Sequence, residues 1–172
     1  MRTAPRRLRT LLTTLMAGLL FALTVAAAAP ASAAGRQMEN RERGFMAGPA
    51  CLEIDHGRTW SGASATVDWC SNYSQHMNWT AVSTGDGYYQ LRPDHVRGMC
   101  LAVYGGSYAD GTQVVQQSCT GGAHLQWKFV YVSGGFYEVV ARHSGKCLDK
   151  SGWNTVQWNC HGGDWQEWSR PF

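Results

Sequence analysis

One module occurs three times in the sequence, and this repeat constrains the fold more than any other feature. Each copy begins with a Cys-Leu pair, at Cys51, Cys100 and Cys147, so the copies are 49 and 47 residues apart. A second cysteine follows in each copy, and a tryptophan comes eight or nine residues after that cysteine. A copy of this length cannot bury its apolar face alone, so neighbouring copies must share one core. We therefore expect one domain built from three equivalent units.

The first 33 residues have the pattern of a secretory signal peptide. Residues 2–9 contain four arginines and no acid, an apolar run spans 11–29, and a small-residue A-x-A end follows. An uncleaved membrane anchor is the alternative because the run is nearly long enough to span a bilayer, but its small-residue end favours cleavage after Ala33. Removing the four arginine charges from the formal +3 leaves −1 for residues 34–172. The sequence predicts a secreted protein with no membrane insertion after cleavage, and its charge gives no support for a nucleic-acid partner.

An even number of cysteines in an exported chain predicts disulfides. Six cysteines allow 15 pairings, and counting alone does not choose among them. If the modules are equivalent, the economical pairing lies within each module: Cys51–Cys70, Cys100–Cys119 and Cys147–Cys160. Each bridge would stabilise the fold by about 3 kcal/mol in the chain-entropy model. Zinc is the competing use, but the chain has no C-x-x-C and its histidines are scattered, so we predict no metal site.

After residue 44 the sequence predicts short strands separated by glycine-rich turns. No stretch there places apolar residues at helical spacing. The runs rich in β-branched and aromatic residues are 66–69, 79–82, 88–91, 112–116, 127–132 and 136–140. Short strands at close, even spacing predict an all-β barrel or sandwich, and the threefold repeat favours a closed form. Residues 34–44 are polar, charged and outside the repeat, so we expect a flexible leader there.

The module resembles the repeat of ricin B-type lectins and of family 13 carbohydrate-binding modules. The third copy carries the family's Q-x-W as Gln166-Glu167-Trp168, and the other copies have the degenerate forms Met77-Asn78-Trp79 and Leu125-Gln126-Trp127. The resemblance covers residues 45–172 and implies a β-trefoil. Its three repeats would span about 45–91, 92–139 and 140–172. We expect the three motif tryptophans, Trp79, Trp127 and Trp168, to fill the core, because one large ring per copy suits a threefold centre.

The resemblance also implies one sugar pocket per module. Its usual parts are an Asp after Cys-Leu, an aromatic residue two before the second cysteine, and an Asn-Gln pair before the last tryptophan, in which the Gln braces the Asp. Such a pocket needs a carboxylate or amide for the hydroxyl groups and an exposed ring for the apolar C–H face of the sugar. The third module keeps most of this set, with Trp165 in place of the Asn. Its predicted sugar-binding residues are Asp149, Asn154, Trp158, Asp164, Trp165 and Gln166.

The pockets of the other two modules depart further from the family pattern. The first module has Glu53 in place of the Asp, Asp55 nearby, and Trp69 one residue before the cysteine rather than two, so we predict a weaker pocket there. The second module has Ala102 and Gln117 at the carboxylate and aromatic positions. We predict that the second pocket does not bind sugar.

The predicted function is saccharide binding without catalysis and without a cofactor. The sequence contains neither G-x-S-x-G nor H-E-x-x-H, and all its cysteines are expected to be oxidised. The alternative is a trefoil that has lost sugar binding and contacts a protein partner, as an interaction module, an inhibitor or a toxin-type binding subunit. Asn72 and Asn78 fit the N-x-[ST] pattern, but the alanine-rich signal is typical of bacteria, so we expect neither to be glycosylated.

Overall fold

The computed structural model describes Met1 and residues 36–43 and 48–172, so the predicted signal peptide lies outside the described residues apart from Met1. The fold is all-β, as predicted. Its thirteen strands are β1 Arg36–Gln37, β2 Glu39–Asn40, β3 Ala50–Ile54, β4 Ala65–Trp69, β5 Asn78–Gly85, β6 Tyr88–Pro93, β7 Met99–Val103, β8 Thr112–Ser118, β9 Trp127–Ser133, β10 Phe136–Ala141, β11 Cys147–Ser151, β12 Asn154–Trp158 and β13 Glu167–Ser169. Five single turns of 3₁₀ helix connect them: η1 Asp55–Gly57, η2 Gln75–Met77, η3 Tyr104–Gly106, η4 Ala123–Leu125 and η5 Asp164–Gln166. None of the helices in these described parts is long and apolar enough to cross a membrane.

A closed ring of strands forms the centre of the fold. The strands pair in the order β1, β5, β6, β9, β10, β13, β2, and β1 and β2 are two halves of one segment. The register is the same in each third of the ring, because a motif tryptophan lies opposite Arg36, Tyr89 and Tyr137 in turn. The ring therefore has the threefold symmetry that the repeat predicts.

The segment that closes this ring comes from the predicted leader. The expectation that residues 34–44 are flexible is wrong for 36–40, which pair with β5 on one side and with β13 and β3 on the other. Met38 is fully buried and occupies the position that Leu91 and Val139 hold in the other two thirds. The adjacent residues Gln37 and Glu39 are polar because successive side chains of a strand point to opposite faces.

The remaining strands form three hairpins, β3–β4, β7–β8 and β11–β12, which contact one another through β4, β12 and β8. The structure confirms the three predicted disulfides, one in each module. Each bridge ties the first strand of a hairpin to the chain that follows its second strand. Each module is therefore cross-linked internally, independently of the other two.

The motif tryptophans connect the hairpins to the ring. Trp79, Trp127 and Trp168 are all fully buried. Each indole Nε1 donates a hydrogen bond of 2.9 Å to the carbonyl of the leucine in its own Cys-Leu pair. A buried indole N–H needs such an acceptor, so the Cys-Leu and Trp motifs form one structural unit.

The hairpin loops pack around the threefold axis, each on the hairpin of the next module. Buried Gln116 donates to two carbonyls of loop 58–62, and buried Gln157 donates to two carbonyls of loop 107–111. The third loop is shorter than the other two, and the cysteines of its module are correspondingly 13 rather than 19 residues apart. It reaches the first hairpin through the carbonyl of Trp153, which accepts the Val67 N–H at 2.9 Å.

Candidate functional site

An open depression of about 330 Å³ lies on the third hairpin. Its lining residues are Asp149, Ser151, Trp158, His161 and Trp165. The side chains of Trp158 and Trp165 are 45% and 47% exposed, so both rings are accessible from solvent. The structure thus brings together three of the side chains that the sequence predicts for this pocket.

The Asp149 carboxylate forms the base of this depression and is held in a fixed position. Its Oδ2 accepts hydrogen bonds from Gln166 Nε2 at 2.8 Å and from His161 Nε2 at 3.2 Å. The Gly163 N–H donates to His161 Nδ1, so the ring proton lies on Nε2. Oδ1 receives no hydrogen bond from the described residues. One oxygen is therefore fixed by the protein, and the other can accept a hydrogen bond from a ligand.

Gln166 acts from beneath the depression rather than as part of its surface. It is fully buried at the end of η5, where it also donates to the Asn159 carbonyl and accepts the His161 N–H. This is the bracing arrangement that the family resemblance implies. Because the amide is fixed at three points, it holds Asp149 in a single orientation.

Two of the predicted site residues lie outside the depression. Asn154 starts β12 and pairs with Thr66 of the first module. Asp164 is exposed, and its Oδ1 lies 3.6 Å from Arg41 Nε. The prediction that either one supplies polar contacts at the third pocket therefore finds no geometric support, because neither side chain lines it.

The sequence analysis misses two lining residues of this site, Ser151 and His161, of which His161 contacts Asp149. His161 directly follows the second cysteine of the module, and no element of the repeat marks that position.

The position of the Trp165 ring depends on contacts that the sequence does not reveal. The Lys150 Nζ lies 5.1 Å from its ring centroid and 2.6 Å from a carboxylate oxygen of Glu42, so a residue of the N-terminal segment helps to position this ring.

The first module has a second open depression, of about 380 Å³, and its lining includes Glu53, Asp55 and Trp69, the residues that the sequence analysis assigns to a weaker pocket. The Glu53 carboxylate is buried there. It accepts a hydrogen bond from the Thr66 hydroxyl, and its other oxygen lies 3.0 Å from His76 Nε2. Burial disfavours the charged form and raises the pKa of Glu53 above its ordinary value.

Asp55 lies on the rim of the same depression beside two basic side chains, Arg58 and His56. It contacts the His56 ring and accepts from Arg58 Nε at 2.7 Å. The hydrogen bond from His56 and then that from Arg58 lower the pKa of Asp55, and the contact with Asp55 raises the pKa of His56. The negative charge of Asp55 is therefore balanced within the module.

The second module has no carboxylate at the equivalent position. Ala102 is buried in a small apolar cluster with Cys100, Val115 and Leu125. The nearby His124 has a lowered pKa, first because of its burial and then because of the neighbouring His143. The polar half of a sugar pocket is missing here.

A family model described as ricin-type beta-trefoil lectin domain-like matches residues 46–117, 95–156 and 123–171, which together span most of the chain. The chain belongs to this family. No curated protein matches this trefoil lectin-like sequence closely enough to count as a relative.

Solved structures have the same fold. The designed threefold-symmetric protein ThreeFoil is 35% identical and has a TM-score of 0.70, with 77% of this chain aligned to 94% of that one. An exo-beta-1,3-galactanase from Clostridium thermocellum is 27% identical with a TM-score of 0.71, and 81% of this chain aligns with 30% of the enzyme. The Polyporus squamosus lectin is 15% identical with a TM-score of 0.62, over 78% of this chain and 48% of that one, and it shows likeness of fold only.

Proposed function

We propose that the chain is a secreted, non-catalytic carbohydrate-binding protein whose main site is the depression on the third module. One observation carries the proposal. Asp149, fixed by Gln166 and His161, presents a free carboxylate oxygen at the base of a depression with two exposed indole rings. A monosaccharide needs both features, because it has hydroxyl groups on its rim and an apolar C–H face.

Each group of the site has a separate role in this proposal. Oδ1 of Asp149 accepts a hydrogen bond from a sugar hydroxyl, and the charge of the carboxylate strengthens that bond. Trp158 or Trp165 packs against the C–H face of the sugar ring. The exposed His161 side chain adds a polar edge beside the carboxylate. A single open site of this kind binds weakly, so tight binding to a polysaccharide requires several sites on one surface.

The family and the disulfides support the remaining parts of the proposal. The matching family is lectin-like, and one solved structure with this fold is SeviL bound to asialo-GM1 saccharide. The galactanase is an enzyme, but this chain aligns with only 30% of it, so we do not extend its catalysis to the present chain. Three disulfides are typical of proteins that fold in an oxidising compartment, which supports secretion.

A glycan array tests this proposal. We expect the wild-type protein to bind at least one saccharide and Asp149→Ala to lose that signal. Asp164→Ala is the matched control, since it removes a carboxylate from the same module outside the depression. Absence of binding by folded wild-type protein, or equal binding by Asp149→Ala, would contradict the proposal. Co-purification of one stoichiometric protein partner in that case would favour the protein-interaction alternative.

A further inference from the structure

The first and third depressions are built on equivalent strands, but they differ in the residue that lies opposite the first cysteine of the hairpin. Glu53 takes the place of Asp149, each being the second residue after the first cysteine of its module. Across the hairpin, Trp158 lies opposite Cys147, whereas Asp68 lies opposite Cys51. The first depression therefore has a carboxylate where the third has a stacking indole.

Asp68 is the unbalanced charge of the first depression. It is exposed, and its Oδ1 accepts the backbone N–H of Trp69 at 2.7 Å. It forms no ion pair with any residue that the structure describes. Of the other acids here, Glu53 faces His76, and the charge of Asp55 is balanced by Arg58. A ligand that enters this depression meets a negative potential with one carboxylate free to form an ion pair.

The first depression has two aromatic lining residues, Trp69 of its own module and Trp153 from another module. Trp153, at the tip of the third hairpin, lines the depression together with Asp68 and Glu53 and is 53% exposed. Its backbone is fixed on β4 by the hydrogen bond from Val67. The short third loop therefore places an indole beside two carboxylates, which is a combination that the third depression lacks.

We propose that the first depression binds a sugar that carries a protonated amine, such as a 2-amino-2-deoxyhexose unit. The ammonium group forms a charge-assisted hydrogen bond with the carboxylate of Asp68. The indole of Trp153 packs against the C–H face and attracts the cation through its ring electrons. N-acetylation removes the positive charge, so the acetylated form of the same sugar binds more weakly. The inference rests on the proposed saccharide binding, but it concerns a different pocket and a different ligand class.

Calorimetric titration of the full chain with a glucosamine tetrasaccharide and with its fully N-acetylated counterpart tests the inference. We expect tighter binding of the free amine at low salt, and loss of that preference at high salt. Asp68→Asn keeps the shape of the side chain and removes its charge, and it should weaken binding of the amine about two- to fivefold. Trp153→Ala should weaken it about fivefold or more. Asp164→Ala, whose carboxylate lines neither depression, should leave it unchanged.

The outcomes separate this inference from the proposed main site. Equal affinity for the two tetrasaccharides, an unchanged affinity in both Asp68→Asn and Trp153→Ala, or loss of amine binding in Asp149→Ala would overturn the inference. In each of these cases, binding of a neutral saccharide that depends on Asp149 would still support the third depression as the main site. Conversely, a preference for the amine that depends on Asp68 supports the inference even if no saccharide binding depends on Asp149.

Discussion

Substituting Met38 by alanine tests whether the N-terminal segment is part of the fold. Met38 is fully buried in the main core cluster, and its strand closes the ring. Truncation of a buried methionine to alanine costs about 2–5 kcal/mol, depending on how far the site can collapse. Rigid neighbours such as Trp79 and the disulfide-tied Leu52 limit that collapse, so we expect about 3 kcal/mol.

Equilibrium unfolding in urea with the disulfides intact measures this loss. With an m-value of about 1–3 kcal/mol per M, the midpoint should fall by about 1–3 M without a change in m. Leu91→Ala, at the equivalent position in another third of the ring, should cost a similar amount. Arg36→Ala is the control, because its side chain is exposed and its loss should change stability by less than about 0.5 kcal/mol. If Met38→Ala is as mild as Arg36→Ala, the segment is the flexible leader after all and the reasoning is refuted.

Three further predictions concern the hydrogen bonds of a buried glutamine, one disulfide and one histidine–aspartate pair. Gln157→Leu should cost about 1–3 kcal/mol in a urea titration, because it removes the hydrogen-bond partner of the Ala109 carbonyl and of the Ser144 hydroxyl and one of the two partners of the Ser107 carbonyl. Replacing both Cys100 and Cys119 by serine should cost about 3 kcal/mol, and a smaller loss than about 1 kcal/mol would argue against this cross-link. The raised pKa of His56 means that its pairing with Asp55 stabilises the fold below the ordinary pKa of histidine and is lost as the pH rises through the raised value. Because the pKa of Asp55 is lowered, its carboxylate is charged at about pH 5. His56→Ala should therefore destabilise the protein more at about pH 5 than at about pH 9, and equal losses in thermal melts at both values would exclude this pairing.

Much of the architecture can be predicted from the sequence because the residues that define the repeat, the cysteines and the motif tryptophans, also hold the fold together. The Cys-Leu pair and the motif tryptophan meet in three dimensions through the indole hydrogen bond, so their regular spacing reports a real structural unit. The first strand of each repeat is the exception. In the first module it contributes one buried apolar side chain, Met38, among polar residues that include the buried Asn40, and such a strand has no visible hydrophobic pattern.

The candidate sites are harder to predict because they depend on contacts of residues outside the repeat motifs and on contacts between different modules. Asp149 and Gln166 stand at family positions and were predictable. His161 reaches Asp149 only because the chain turns after Cys160, and Trp153 lines the pocket of another module because the loops pack around the threefold axis. Comparison of the copies one at a time does not show either contact.

Calorimetric titration with the best-binding saccharide from the glycan array tests the central claim most directly, with wild type, Asp149→Ala and Asp164→Ala measured side by side. Loss of a hydrogen bond to a charged group is worth about 1.5–3 kcal/mol, so Asp149→Ala should weaken binding by about tenfold or more. Asp164→Ala should bind within about twofold of wild type, because its carboxylate lies outside the depression. Affinity that is unchanged in Asp149→Ala, with the fold intact, would contradict the assignment of the third module as the main saccharide site.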